Sequence, residues 1–128
     1  MRYVILVYSN PANWKHPMFL HYEPLTDAER AEMSAQADAI WEEIDERGER
    51  VDSGALGDPI LTKTVRAIEG APVITDGPFA ESKEQLAGFF VIECESQERA
   101  LEIAARFPDT RYAPIEVRPI MDLSSFEW

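Results

Sequence analysis

"VITDGPFAESKEQLAGFFVI", Val73 to Ile92, decides how this chain folds. An apolar run is cut by Asp76-Gly77-Pro78-Phe79, crosses a charged bridge, and resumes as the segment Leu86 to Cys94. Side chains alternate along a strand, so Leu86, Gly88, Phe90 and Ile92 point one way and Ala87, Phe89 and Val91 the other. Both sets are apolar, as in a strand covered on two faces. Tyr3 to Tyr8 has the same character, being β-branched, aromatic and almost continuously apolar. These two segments are expected at the centre of a sheet.

The remaining elements are placed outward from that pair. Thr26 with Glu29 makes a capping box for a helix in which Met33, Ala37, Ile40, Trp41 and Ile44 recur at helical spacing, and Arg47-Gly48 ends it. Val51 to Leu56 reads as a strand stopped by Gly57-Asp58-Pro59. Thr62 to Ile68 and Pro72 to Thr75 read as a hairpin around Glu69-Gly70. A short helical turn is expected at Ala80 to Gln85. Ser96 caps a second helix with Ala100, Leu101, Ala104 and Phe107 on one face, and Pro108 stops it. Ile115 to Met121 is the last strand. Between Ser9 and Leu25 there is no period, and Pro11, Pro17 and Pro24 interrupt it. A loop of that length is uncommon in a compact domain, which makes it a candidate lid.

Leaving the hairpin aside, the order is strand, helix, strand, strand, helix, strand, the α+β split β-α-β plan of ferredoxin-like domains. Right-handed crossovers put both helices on the same face of the sheet. The second apolar face then has nothing in the chain to cover it, and a second copy is the simplest cover. A homodimer packed sheet to sheet is the expectation.

Composition narrows the partners. The 128 residues suit one domain, spanning 1–128, with a real core. With 24 Asp+Glu against 12 Lys+Arg, the net charge of −12 disfavours nucleic acid and anionic lipid surfaces. No apolar stretch approaches membrane-spanning length. The opening MRYVILVY imitates a secretory signal, but polar Ser9-Asn10-Pro11 follows without a small-residue cleavage site, so a cytoplasmic protein is expected. The single cysteine, Cys94, is expected to be a buried structural thiol.

Asp76-Gly77-Pro78-Phe79-Ala80-Glu81, then Lys83-Glu84-Gln85-Leu86 and Gly88-Phe89-Phe90, resembles the signature of the DGPF branch of the YCII-related proteins. The resemblance extends to the opening MRYVILVYSN, to Trp14 and to the closing IEVRPIM, and so covers nearly the whole chain as one YCII-related domain. It implies a dimeric α/β barrel built on ferredoxin-like subunits. It also implies one of two kinds of role. Some YCII-related members resemble small-molecule enzymes with a His–Asp pair; others are encoded beside, or fused to, extracytoplasmic-function sigma factors. The segment HPMFLHYEP departs from the family pattern, so neither His16 nor His21 carries over as catalytic from it.

From the residues themselves, Asp76 lies at a strand end, with Pro78 keeping Gly77 out of the helical region and Phe79 projecting as an apolar wall. A carboxylate partly desolvated beside an aromatic suits acid/base work. The competing role is a turn cap that accepts backbone N–H bonds. His21, between Leu20 and Tyr22, is the better of the two imidazoles to close over Asp76 as a proton-transfer partner. Tyr8, Trp14 and Phe79 are candidates to line one pocket, with Glu81 and Lys83 either paired in solvent or facing ligand. The histidines have neither the spacing nor the third ligand of a metal site, and no phosphate loop or nucleophile elbow is present, so no cofactor is expected. Two functions remain open: a small-molecule enzyme of the lyase or isomerase type with Asp76 as acid/base, and a non-catalytic ligand-binding or interaction module tied to sigma-factor regulation.

Overall fold

The computed structural model describes residues 1–9, 26–79, 84–111 and 113–125. Its strands are β1 (Arg2–Ser9), β2 (Arg50–Ala55), β3 (Lys63–Ile68), β4 (Ala71–Asp76), β5 (Gln85–Glu93) and β6 (Ile115–Pro119); its helices are α1 (Asp27–Glu46) and α2 (Gln97–Arg106). Four strands form an antiparallel sheet in the order β2-β5-β1-β6. The two doubly apolar strands are therefore central, as their sequences require. Ile5 lies opposite Phe90 and Val117, and Tyr3 opposite Ile92.

Alternation along β1 sorts its side chains: Tyr3, Ile5 and Val7 are buried, while Val4, Leu6 and Tyr8 are half-buried. The buried set joins Phe90 and Ile92 of β5, Ile40 and Ile44 of α1, and Ala100 and Ile103 of α2 in one core. Both helices thus pack on one face. Register places Val4 and Leu6 of β1 with Val91 and Phe89 of β5 on the other, which no described element of the chain occupies as a layer.

Local chemistry sets the helix ends. Thr26 Oγ1 accepts from the Glu29 N–H at 3.1 Å, and Glu29 Oε1 accepts from the Thr26 N–H at 3.2 Å, closing the capping box. Arg47 caps the far end and Gly48 follows at φ +67°. Trp41 lies edge-on to Phe90 and Phe107, at 5.0 and 5.3 Å between ring centroids, with the Arg50 guanidinium 3.8 Å from its ring centroid. Ser96 caps α2 through the Arg99 N–H.

The buried face of α2 corrects the sequence expectation in part. Ala100, Ala104 and Phe107 are buried, but Leu101 is exposed and Ile103 and Arg99 are buried instead. Ile103 is three residues from Ala100 and shares its face, whereas Leu101 is turned about 100° away. Arg99 is only 4% exposed and makes a bidentate pair with Glu49, at 3.0 and 2.8 Å, with further bonds to Glu43 at 3.0 Å and Glu102 at 3.1 Å. This fork ties α2 to the end of α1 and the turn before β2.

β2 begins and ends one residue earlier than expected, and β6 stops at Pro119, short of Met121. Past Pro119 the pairing reduces to one bond, from the Ile120 N–H to the Arg2 carbonyl. The helical turn expected at Ala80 to Gln85 falls largely outside the described residues, and Gln85 itself opens β5. The candidate lid also lies outside them, save Ser9, the buried last residue of β1. Cys94 is buried, and its thiol donates to the Ser96 carbonyl at 3.3 Å. Burial pushes its pKa up, the setting of a structural thiol. Among the described residues, no helix is long and apolar enough to cross a membrane.

Strands β3 and β4 form their own two-stranded sheet, separate from the other four. Glu69 and Gly70, at φ +52° and +82°, make the two-residue turn that matches the twist of a hairpin. Apart from half-buried Thr64, every residue of both strands is exposed.

Candidate functional site

The two-residue turn at Glu69-Gly70 fixes the hairpin register, so Lys63 stands opposite Asp76 at the open end. The two side chains form an ion pair. Directly after Asp76 the chain turns at Gly77, whose φ of +83° is a left-handed conformation that glycine adopts freely. The Gly77 N–H donates to the Thr62 carbonyl at 2.7 Å, and Thr64 Oγ1 donates to the Gly77 carbonyl at 2.6 Å. Arg66 reaches the Phe79 carbonyl at 3.4 Å. The turn is thus held by Thr62, Thr64 and Arg66. Among the described residues no backbone N–H donates to the Asp76 carboxylate, whose partner is a side-chain ammonium.

Beside the turn lies a groove of about 600 Å³. Phe79 and Pro78 form one wall, Lys63 and Thr64 of β3 another, and Leu86 of β5 and the Asp58 region the remainder. Phe79 is 75% exposed, an aromatic wall open to solvent. Asp58, by contrast, is buried and accepts from the Ile60 N–H at 3.0 Å.

Asp76 itself is 88% exposed at the side chain. Among the described residues, the desolvation that its neighbour Phe79 suggested is not supplied, because both groups are largely exposed. Tyr8 stands opposite Leu86 across the β1–β5 pairing, one strand from the groove wall, and is not itself part of that wall. The Glu116 side chain, followed by burial and the Glu116 charge, pushes the Tyr8 pKa up. Trp14, His16, His21, Glu81 and Lys83 lie outside the described residues. Of the candidates, the structure therefore brings Asp76 and Phe79 to one turn and keeps Tyr8 a strand away.

Lys63 joins the candidate site through the hairpin register, and the signal for it lies in the sequence. With a two-residue turn at 69–70, paired residue numbers sum to 139, so 63 must face 76. Asp58, a strand terminator by sequence, is buried at the groove, where its side chain caps the turn at Pro59–Leu61. A second, smaller hollow of about 290 Å³ lies on the helical side of the sheet, between Trp41, Val7, Phe90, Ser53 and Asp109. Among the described residues, no cluster of three His, Cys, Asp or Glu could hold a metal ion.

Three comparisons relate the chain to known proteins. The sequence model of the YCII-related domain matches residues 1–124. An uncharacterized protein, R00369, of Rhizobium meliloti (strain 1021) is 38% identical over 79 residues, which are 55% of this chain and 63% of that protein. The chain thus spans under two thirds of that relative's length. Among solved structures, 5-chloro-2-hydroxyhydroquinone dehydrochlorinase from Burkholderia phenoliruptrix AC1100, in complex with 2,5-dihydroxybenzoquinone, aligns with a TM-score of 0.47 at 16% identity, over 94% of each chain.

Proposed function

This chain belongs to the YCII-related domain family, and on that premise we propose that it is a small-molecule enzyme of the lyase or isomerase type. Its site is the groove beside the Asp-Gly-Pro-Phe turn, within a dimeric α/β barrel. One observation carries the reading: a carboxylate and an ammonium, Asp76 and Lys63, are locked together at the rim of a groove whose aromatic wall is bare.

That arrangement suits proton abstraction beside a carbonyl. Asp76 takes the proton from the substrate carbon, and the electron pair left behind moves toward the carbonyl oxygen. Lys63 sits where that negative charge can be stabilised, in a site made drier once covered. Returning the proton to a neighbouring atom completes an isomerisation. Expelling a leaving group with its bonding electrons completes an elimination. Phe79 supplies an apolar surface for the carbon skeleton.

The test is a screen of small carbonyl compounds for turnover, followed by Asp76→Asn. The amide keeps the shape and cannot accept the proton, so turnover should fall at least about 100-fold while ligand binding persists. An Asp76→Asn variant as active as the parent sinks the proposal. The exposure of Asp76 favours a second reading, a ligand-binding or interaction module in sigma-factor regulation, where the groove binds without chemistry. A compound that raises the melting temperature and is never consumed would point there.

A further inference from the structure

We propose that the β3–β4 hairpin is an arm that grips a second copy of this chain, and that the groove is complete only when that copy is in place. The inference rests on the dimeric reading above and adds where the dimer is held and why the site needs it.

The hairpin is the anomaly of the fold. An isolated two-stranded sheet is marginally stable in water and needs a further strand or a packed face. Here the directly opposed pair Val65 and Ile74 is 63% and 67% exposed, and Ile68 on the opposite face is 54% exposed. Apolar side chains on both faces of an exposed hairpin are what a soluble chain avoids unless the hairpin is covered. No other described element of the chain forms a layer on it.

Area identifies the occupant. Four strands about 4.8 Å apart, paired over five residues at the edges and eight at the centre, give an open sheet face of roughly 330–520 Å². A stable protein interface buries about 800 Å² per partner. Sheet-to-sheet contact alone therefore falls short. The arm, with its two strands of six residues, adds roughly 200 Å² by the same measure, which brings the contact into the range of the smaller stable interfaces, about 600 Å² per partner. Because Lys63, Thr64 and Val65 of the arm also line the groove, a copy packed on the arm covers bare Phe79 and the Lys63–Asp76 pair. The desolvation that acid/base chemistry at Asp76 requires comes from that second copy.

The test is sedimentation velocity of the full chain and of the double variant Val65→Asp, Ile74→Asp across micromolar concentrations. The parent should run as a dimer. The variant, with native far-ultraviolet circular dichroism, should run as a monomer, its association weakened at least ~100-fold by two buried carboxylates. A folded variant that remains a dimer overturns the arm and leaves the proposed chemistry standing. A parent that is monomeric throughout overturns the arm and the dimeric barrel together. If the variant fails to fold, hydrogen exchange of the parent decides. Protection of the 65–68 and 73–75 amides that rises with protein concentration supports the arm, and protection independent of concentration overturns it.

Discussion

Gly77 sits at φ +83° with nothing within 4 Å of where a Cβ would lie, so its restriction is torsional. Gly77→Ala should cost about 1–2 kcal/mol, the penalty of a left-handed conformation for an L side chain. Gly88 is restricted by contact, because a Cβ there would lie 2.9 Å from the Gly54 carbonyl oxygen, backbone that cannot swing aside. Gly54 meets only the end of the Phe89 ring, at 2.7 Å, which can rotate away. Gly88→Ala should therefore lose about 1–3 kcal/mol and Gly54→Ala less. Urea unfolding of the two variants checks the order, and equal losses would contradict it. Tyr8 offers a reading by titration. Its pKa is raised, first by the Glu116 side chain, so the protonated phenol is favoured in the folded chain. The stability this contributes is present below the unfolded value near 10 and lost as pH rises through the folded value. Tyr8→Phe should flatten the alkaline limb of the stability curve, and an unchanged limb would show that another group sets it.

Arg99 acts at the scale of elements, since its guanidinium joins α2 to Glu43 of α1 and to Glu49 before β2. Its pKa is pushed up, first by the hydrogen bonds to Glu49. Arg99→Met should cost about 3–5 kcal/mol, because Glu49 stays buried without its bidentate partner, while Arg99→Met with Glu49→Leu should recover most of the loss. Thermal unfolding of both variants measures this, and an equally unstable double variant would count against it. Glu43 has a lowered pKa, first through Arg106 and then Arg99. Its contribution is present above the unfolded value and lost as pH falls through the folded one. Arg106→Gln should therefore flatten the acid limb of the stability curve; an acid limb as steep as the parent's would remove Glu43 from it. This cluster also marks how far the sequence could be read. β1 and β5 were legible because alternation leaves both their faces apolar, and α1 because Thr26 and Glu29 cap it locally. The burial of Arg99 was not, since it depends on a glutamate 50 residues away that only the folded sheet brings near. The exposure of Asp76 was equally hidden. Aspartate, glycine, proline and phenylalanine in a row describe a turn, but where that turn points is set by the hairpin beneath it.

At the scale of the whole molecule, charge and apolar surface oppose one another. Each chain carries −12, so two copies brought together place −24 in one particle (twice −12). The surfaces proposed to meet are apolar in large part: Val4, Leu6, Phe89 and Val91 on the sheet, Val65 and Ile74 on the arm. Burial of such surface is insensitive to dilute salt, whereas repulsion between the copies is screened over a length that falls from about 30 Å at 0.01 M to about 8 Å at 0.15 M. Long-range repulsion should therefore dominate the salt dependence, and raising ionic strength across that range should tighten the dimer several-fold. An interface held by ion pairs behaves oppositely, because screening weakens the attraction that holds it. Of the arm's two cations, Arg66 bonds the neutral Phe79 carbonyl, and Lys63 already has a partner in Asp76 of its own chain. Internal pairing leaves it little net charge to offer a second copy, which again favours tightening. Sedimentation equilibrium at the two ionic strengths separates the cases. A dissociation constant that rises with salt would place ion pairs, not apolar side chains, at the centre of the contact, and the Val65–Ile74 pair would no longer be what the second copy covers.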